Sequence, residues 1–337
     1  MSATRPVTMD VRTASLPLQS PFRISGYTFR EVPIASVSLR RDGIEGRGEA
    51  AGVYYLDDTP QRMVATIEAH RRAIESGIDR QQLMGLLPPG GARNALDCAL
   101  WELESKESGQ PVWQLAGLDQ VVPKITTFTL GADDPSVIAE KADALTDARS
   151  LKLKLSGDIE VDAVRVRTVR TVRPDVWLGV DANQGFTRDS LSRLLPVLVD
   201  AGVKLIEQPL ARGREADLDD FHSPIPLAAD ESVQGLADMP NLVGRFDVVN
   251  IKLDKCGGLT EGLAMAARAR QLGLKVMVGN MVGSSLAMAP AFVLAQQCDF
   301  IDLDGPTFLA ADVTPSLVYR DGTVWCPEEV WGCCAQH

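Results

Sequence analysis

The chain has 337 residues and a formal net charge of −11. This length fits one barrel domain of roughly 200 residues together with a smaller domain. Because the Lys and Arg residues form no separate basic run with interleaved aromatic residues, we expect neither nucleic acid nor an anionic membrane as a partner, which leaves a small molecule as the favoured ligand.

The sequence also indicates where the protein works. Its first residues contain no apolar stretch of signal-peptide length, and no apolar run of about 18 residues occurs anywhere, so we expect a cytoplasmic protein. The six cysteines lack CxxC spacing, and the adjacent Cys333 and Cys334 are poorly placed for a structural disulfide, which predicts reduced thiols. Only three histidines occur, which disfavours histidine chemistry.

The first 120 residues are predicted to form a separate α+β unit. A β-rich run over 32–39 ends at the turn 41–43, and a second extended run follows over 44–50. Helices are predicted over 59–76 and 91–108, the second with apolar residues at spacings of three and four.

After residue 123, short apolar strands alternate with amphipathic helices, which is typical of a parallel sheet with crossover helices. We predict a closed (β/α) barrel over residues 121–305, because an open doubly wound sheet would normally carry a glycine-rich phosphate loop that this chain lacks. Residues 306–337 are too irregular for another barrel unit and are predicted to return to the first domain. The predicted strands are 125–130, 151–155, 176–181, 204–207, 225–229, 248–252, 274–278 and 300–303.

Three carboxylates end successive predicted strands, namely Asp181, Glu207 and Asp230. A closed barrel places its catalytic groups at the carboxyl ends of its strands, so these three side chains would lie side by side. Three anions so close would repel one another unless a cation neutralised them, and carboxylate oxygens suit Mg²⁺, with Mn²⁺ as a substitute. The alternative is that each residue caps the helix that follows it.

Three lysines follow the same logic. Period-two alternation puts Lys152 and Lys154 on one face of the second strand, and Lys252 ends the sixth strand, which is opposite in an eight-stranded ring. Lysines on opposite sides of a metal-bound substrate would form a pair of bases, one for each face. Neighbouring positive charge would lower their pKa values from about 10.4 toward 7–8. The alternative is that these are exposed lysines in loops.

Taken together, this pattern resembles the muconate-lactonizing subgroup of the enolase superfamily. The segments 46–49, Gly-Arg-Gly-Glu, and 92–103 also look like capping-domain motifs of that family. The resemblance implies a modified (β/α)8 TIM-type barrel with an α+β capping domain. Because no histidine lies near residues 278–280, the mandelate-racemase type is disfavoured. The implied roles are metal ligation by Asp181, Glu207 and Asp230, acid–base catalysis by Lys154 and Lys252, and electrostatic support by Lys152.

Within this subgroup, Asp302-Leu303-Asp304 looks like the DxD motif of dipeptide epimerases. Two carboxylates at a barrel mouth would form a socket for the free ammonium group of a dipeptide. The alternative is a capped turn before Gly305 and Pro306. In relatives that act on Ala-Glu, a basic group on an early loop meets the distal carboxylate, and Arg23 is the available cation here, although an ordinary surface role fits it equally well.

The resemblance therefore implies an isomerase that epimerises an Ala-Glu-like dipeptide with Mg²⁺. It would remove and return the proton α to the carboxylate through an enolate. Alternatives on the same scaffold are o-succinylbenzoate synthesis, N-succinylamino acid racemisation and cycloisomerisation, and a further one is an inactive barrel that binds an acidic metabolite. A homo-oligomer is compatible with the sequence.

Overall fold

A computed structural model describes residues 5–24 and 27–332. Cys333, Cys334 and His337 lie outside this range. The described chain contains a three-stranded antiparallel sheet with helices, an eight-stranded parallel sheet and a small three-stranded sheet. The cysteines at 98, 256, 298 and 326 are free. Among the described residues, every helix is too short or too polar to cross a membrane.

The first unit is the predicted antiparallel sheet with helices. Its strands are Thr8–Ile24, Tyr27–Arg41 and Ile44–Ala50, paired in that order. The turn between the last two strands uses Asp42 and Gly43 with positive φ, which matches the tight turn read from the sequence. The predicted helix over 59–76 is interrupted at His70, where the backbone leaves helical geometry. The helices are Pro60–Ala69, Arg71–Glu75, Arg80–Leu86, Gly91–Ser108 and Val112–Leu115.

Two glycines allow the helix Gly91–Ser108 to lie directly on the strand Ile44–Ala50. A Cβ atom on Gly46 would lie 2.1 Å from the Ala99 carbonyl oxygen, and one on Gly48 would lie 1.9 Å from the Ala95 carbonyl oxygen. No side chain can occupy this space without moving the helix backbone. The Gly-Arg-Gly-Glu motif is therefore explained by close packing within the capping unit.

The second unit is an almost closed parallel barrel whose eight strands are hydrogen-bonded in chain order. Leu151 and Leu153 pack outward in the main core, while a smaller cluster around Leu205, Val248 and Met277 fills the lumen near the amino-terminal ends of the strands. The strands are Thr127–Leu130, Ser150–Lys154, Trp177–Asp181, Leu205–Glu207, Leu227–Ala229, Val248–Ile251, Lys275–Val278 and Phe300–Ile301.

The crossovers between the strands are less regular than predicted. After the fourth and fifth strands the chain forms 3-10 turns, Glu215–Leu218 and Leu236–Leu242, instead of α-helices. A further 3-10 turn, Gly305–Phe308, follows the eighth strand. The α-helices of the barrel are Pro135–Ala144, Ile159–Val172, Arg188–Asp200, Leu253–Cys256, Leu259–Gln271 and Ser285–Ala295.

Side chains close the barrel between its first and eighth strands. Within the described chain these two strands share no backbone ladder. The backbone N–H of Leu303 instead donates to Thr126 Oγ1 at 3.0 Å, and the N–H of Thr129 donates to Asp304 Oδ2 at 2.6 Å. The predicted strand 125–130 is split at the same place, because Lys124–Ile125 pairs with Thr323–Trp325 in a separate small sheet that also contains Val318–Arg320.

Buried polar contacts join the capping unit to the barrel. Glu49 accepts hydrogen bonds from the backbone N–H and hydroxyl of Ser284 at 2.8 and 2.7 Å. Asp97 accepts from the backbone N–H of Thr260 at 2.9 Å, and Arg93 donates to the Gly257 carbonyl oxygen at 3.2 Å. Both predicted capping motifs therefore contain residues that hold the two units together.

The segment after the barrel contacts the capping unit. The Trp331 indole donates to the Arg47 carbonyl oxygen at 3.1 Å, and the Val112 N–H donates to the Gly332 carbonyl oxygen at 3.2 Å. The end of the described chain thus contacts the first unit. The proposed division at residues 120 and 305 stays a prediction.

Replacing Gly48 by Ala is expected to lower the free energy of unfolding by on the order of 3 kcal/mol, because overpacking forces the helix away from the strand. Urea denaturation followed by circular dichroism would measure this. Gly85→Ala is the matched control, because a Cβ atom added at Gly85 would meet nothing within 4 Å. Gly85 lies in the helix Arg80–Leu86, and alanine has a higher helix propensity than glycine, so this variant should not lose stability. Equal stability of the two variants would contradict the packing explanation.

Candidate active site

The barrel brings Asp181, Glu207 and Asp230 together at the carboxyl ends of three adjacent strands. One carboxylate oxygen from each lies within 4.8 Å of the others, and all three side chains are buried. Asp181 and Glu207 occupy paired positions in the register of their strands. Side-by-side strands therefore produce the cluster expected from the sequence.

This acidic triad fits a divalent metal ion. Burial raises the pKa of Glu207, and repulsion from Asp181 raises it further. A bound cation would offset this repulsion and stabilise the charged form of all three carboxylates. The ligands are hard oxygens with no sulfur or nitrogen donor among them, which is the donor set that Mg²⁺ prefers. Asn250 Nδ2 holds Glu207 from behind at 2.7 Å. The triad therefore offers Mg²⁺ three carboxylate ligands, of which Glu207 is held in place by Asn250.

The three predicted lysines meet these carboxylates. Lys154 Nζ lies 2.5 Å from Asp181 Oδ2, and Lys252 Nζ lies 2.7 Å from Asp230 Oδ2. Lys152 Nζ donates to Glu207 at 3.0 Å and also pairs with Asp302. All three lysines are buried, which excludes the alternative that they are exposed loop residues.

The lowering of the lysine pKa values expected beside a metal-bound substrate stays a prediction, because the carboxylates alone act in the opposite direction on Lys252. Burial lowers the pKa of Lys252, but the Asp230 and Glu207 carboxylates outweigh it and raise this pKa well above its usual range. Burial and the carboxylates of Asp302 and Glu207 act in the same way on Lys152. The sequence argument counted the neighbouring lysines and underestimated the nearer carboxylates.

A fourth lysine in the site was not anticipated. Lys255 lies in the short helix Leu253–Cys256, and its Nζ atom donates to Asp230 Oδ1 at 2.5 Å and to the Asn250 carbonyl oxygen at 3.1 Å. Burial lowers the pKa of Lys255. Burial raises the pKa of Asp230, but Lys252 and Lys255 outweigh this and hold it well below its usual range. The spacing Lys252-x-x-Lys255 is the only sequence signal, and an exposed helix would show the same spacing.

Glu231 is a second residue that the sequence argument missed. It follows Asp230 directly and is buried, and its Oε2 atom has no hydrogen-bond partner within the described chain. Burial raises the pKa of Glu231 to about 8, with a further contribution from Asp230. The Asn183 amide approaches both Glu231 and Asp181, at 3.4 and 3.3 Å.

Asp302 and Asp304 lie at the same rim, past the end of the eighth strand. Both are buried, and their existing contacts differ. Asp302 pairs with Lys152 and leaves its Oδ1 atom without a partner in the described part of the chain. Asp304 accepts from the Thr129 N–H, and burial together with Asp302 raises its pKa to about 7. Strand alternation does not orient these two side chains, because the strand ends at Ile301.

Arg23 lies apart from these groups. Its guanidinium pairs with Asp133 Oδ1 at 2.7 Å, and about half of the side chain (54%) remains exposed. Lys141 also pairs with Asp133, at 2.6 Å. Arg23 is therefore tied to a carboxylate of the barrel and does not line the cavity described next.

A cavity of about 150 Å³ lies between the barrel mouth and the capping unit. Lys154 and Lys252 both line it, together with Asp230 and Glu231. The remaining lining residues come from the barrel loops and from the capping unit and carry no charge. They are Leu18, Phe22, Phe29, Val32, Pro33, Ala51, Gly52, Tyr54, Tyr55, Asn183, Asn280, Met281 and Val282.

Fold and site together define a capped (β/α)8-barrel enzyme with lysines set around an acidic triad. The family model described as Enolase C-terminal domain-like matches residues 137–330, and the model described as Mandelate racemase / muconate lactonizing enzyme, N-terminal domain, matches residues 7–117. The chain belongs to the enolase superfamily, in the family that these two domains define. This confirms the family and the barrel class predicted from the sequence.

Known proteins with similar sequences are isomerases. The chain is 38% identical to an L-Ala-D/L-Glu epimerase of Escherichia coli, over 94% of this chain and 98% of that protein. It is 41% identical to an N-acetyl-D-glutamate racemase of a Pseudoalteromonas species, over 74% of this chain and 79% of that protein. The protein is therefore an enzyme of the isomerase class.

A solved structure extends the comparison. A dipeptide epimerase from Methylococcus capsulatus, complexed with Mg and the dipeptide L-Arg-D-Lys, is similar with a TM-score of 0.88 and 32% identity, over 95% of this chain and 97% of that chain. The Mg in that structure accords with the oxygen donors found here.

We predict that Mg²⁺ binds at the acidic triad. In isothermal titration calorimetry, Asp181→Asn and Glu207→Gln should each weaken Mg²⁺ binding by at least roughly tenfold, because each removes a charged ligand. Asp304→Asn is the matched control, a buried carboxylate at the same rim but outside the triad, and should bind Mg²⁺ like the native protein. Unchanged Mg²⁺ affinity in both triad variants would rule out this site.

Proposed function

We propose that the protein epimerises a dipeptide by moving the proton on the carbon next to its free carboxylate. The observation that carries the proposal is that Lys154 and Lys252 line one cavity from opposite sides of the barrel, beside the acidic triad. Two ammonium or amine groups on opposite faces are what inversion at one carbon requires.

The lysines would act as a pair on the substrate α-carbon. One lysine in its amine form removes the proton from one face, and the ammonium group of the other delivers a proton to the opposite face. For Lys252 the amine form requires that a cation bound at the triad offset the charge of the Asp230 and Glu207 carboxylates, which otherwise raise its pKa. The roles exchange in the reverse direction, so both epimers can be substrates. Asp181 and Asp230 hold the two Nζ atoms in place, which fixes the positions of both bases before the substrate arrives.

Positive charge must stabilise the enolate that forms when the α-proton is removed. Lys152 supplies an ammonium group next to Glu207, and its contacts with Glu207 and Asp302 fix that charge before the reaction begins. Bound Mg²⁺ would add positive charge beside the substrate carboxylate. The buried setting strengthens each of these interactions relative to water.

The substrate ammonium group is assigned to Asp302 and Asp304 in this proposal. The partnerless Oδ1 atom of Asp302 supports the assignment, because a buried carboxylate oxygen without a donor is an unfilled position for a cation. Asp304 is less available, since it already accepts from the Thr129 N–H and closes the barrel seam.

N-acylamino acid racemisation is the competing reaction on the same scaffold, and one relative is named for an N-acetylated substrate. An N-acyl substrate has no ammonium group, so it would leave Asp302 without a cation. Discrimination between free and N-acetylated substrates therefore separates the two functions.

Lys154→Ala and Lys252→Ala are each expected to abolish epimerisation, a loss of about 10²- to 10⁴-fold or more, because each removes the base for one face. Exchange of the α-proton from one epimer in D₂O can survive in each variant, and NMR would detect it. Lys275→Ala is the matched control, since Lys275 is exposed at the amino-terminal end of its strand. Near-native interconversion by either site variant would exclude the two-base assignment.

Asp302→Asn is expected to lower kcat/KM for a free dipeptide roughly ten- to a hundredfold, the loss of one charge-assisted contact. Asp304→Asn should have an effect in the same direction. An N-acetylated dipeptide should be a poor substrate of the native enzyme and lose little further in either variant. Equal turnover of free and N-acetylated dipeptides would instead favour the N-acylamino acid racemase.

A further inference from the structure

The two walls of the active-site cavity differ in charge. The barrel wall carries the ionisable residues Lys154, Lys252, Asp230 and Glu231. The capping wall is formed by residues of the first unit between Leu18 and Tyr55, and every described residue on it is uncharged. We define this capping wall as Leu18, Phe22, Phe29, Val32, Pro33, Ala51, Gly52, Tyr54 and Tyr55.

Aromatic rings dominate the centre of the capping wall. The Phe29 ring meets the Tyr54 ring edge-on, with centroids 5.4 Å apart and an interplanar angle of 72°. Tyr54 meets Tyr55 in the same way at 5.2 Å, and the exposed Tyr27 lies over Phe29 at 6.1 Å. Such edge-on groups expose ring faces on which a further apolar or aromatic side chain can pack.

The part of the capping wall that contains Gly52, Tyr54 and Tyr55 is anchored to the barrel. The Gly52 N–H donates to Asp254 Oδ1 at 2.9 Å, which ties the loop of Tyr54 and Tyr55 to the helix after Lys252. Gln234 Nε2 approaches the Tyr55 hydroxyl at 3.3 Å. A preformed apolar wall binds an apolar group without a large ordering cost.

An acidic side chain would find no cation among the residues of this wall. The candidate cation, Arg23, is paired with Asp133 and does not line the cavity. The two lysines in the lining are already assigned to the α-carbon, so the described lining leaves no further cation for a second carboxylate. Desolvating a carboxylate without a partner is costly, whereas burying an apolar side chain is favourable.

We infer that the enzyme selects dipeptides whose carboxyl-terminal residue carries an aromatic or large aliphatic side chain, and that Phe29 and Tyr54 form the subsite for it. This inference rests on the proposed epimerisation of a dipeptide. The side chain reaches the capping wall because the reacting α-carbon lies between Lys154 and Lys252, and the barrel floor beneath it is filled with charged groups. The Ala-Glu-like substrate expected from the sequence is then a poor fit.

A substrate series on the native enzyme tests the inference without any variant. Exchange of the α-proton of L-Ala-L-Phe, L-Ala-L-Leu, L-Ala-L-Gln and L-Ala-L-Glu is followed by NMR in D₂O with Mg²⁺, and kcat/KM is compared. The Phe and Leu dipeptides should exceed L-Ala-L-Glu by at least roughly tenfold. A kcat/KM for L-Ala-L-Glu equal to or above that for L-Ala-L-Phe overturns the inference and leaves the proposed epimerisation intact. If the enzyme exchanges the α-proton of none of these dipeptides, both the inference and the proposed epimerisation are overturned.

Variants then assign the subsite to residues. Phe29→Ala should lower kcat/KM for L-Ala-L-Phe by roughly tenfold and change that for L-Ala-L-Ala little, since only the larger side chain loses its contact. Phe221→Ala is the matched control, an aromatic residue between the fourth and fifth strands that packs beside Arg188 and does not line the cavity. It should leave both values unchanged. An equal loss with both substrates in Phe29→Ala overturns the assignment of Phe29.

A charge introduced on the capping wall should reverse the preference. Phe29→Arg is expected to raise the ratio of kcat/KM for L-Ala-L-Glu over L-Ala-L-Phe by roughly ten- to a hundredfold, because the distal carboxylate gains a partner. Arg23→Ala should leave this ratio as in the native enzyme. A selective loss of L-Ala-L-Glu turnover in Arg23→Ala would restore Arg23 as the specificity residue and overturn the inference.

Discussion

Everything at the mouth of this barrel depends on balancing buried charge. Asp181, Glu207 and Asp230 are fully desolvated and lie close enough to repel one another, so the site exists only because cations surround it. Lys252 and Lys255 bind Asp230, and Lys152 binds Glu207. Each of these lysines therefore neutralises a carboxylate, and removing one would leave an uncompensated buried charge. The stability of the site and the proposed catalysis therefore depend on the same ion pairs.

The fold delivers these groups through two kinds of constraint. Parallel pairing in register fixes the heights of Lys154 and Asp181 on adjacent strands, so their side chains meet at the rim. The seam between the first and eighth strands has no such ladder in the described chain, and side chains replace it. Asp304 is part of that seam through the Thr129 N–H, so this residue of the DxD motif has a structural contact as well as a proposed substrate contact. A variant at Asp304 can therefore alter both.

The capping unit and the barrel divide the work of recognition. The barrel supplies every charged group that lines the cavity, and the capping unit supplies an uncharged aromatic surface. Charged groups on rigid strand ends suit proton transfer, which requires fixed geometry. An apolar wall on a separate unit can change its side chains without disturbing the ion pairs below it.

The sequence alone determined the barrel, its eight strands and the charged residues at the strand ends, because each of these leaves a local signal. A short apolar strand followed at once by a lysine or a carboxylate is readable at Lys154, Asp181, Glu207 and Lys252 without any tertiary information. The direction in which the pKa of Lys252 shifts was not readable, since it depends on distances to carboxylates from other strands.

Contacts between segments far apart in the chain were decided only by the tertiary structure. From the sequence, Lys255 resembles a surface residue of a helix, but in the structure it contacts Asp230. Arg23 resembles a free cation in the sequence, but in the structure it pairs with Asp133. Phe29 and Tyr54 are separated along the chain, and only their packing makes an aromatic wall. A local pattern specifies strands and their ends, whereas the partner of a side chain depends on the packing of the whole chain.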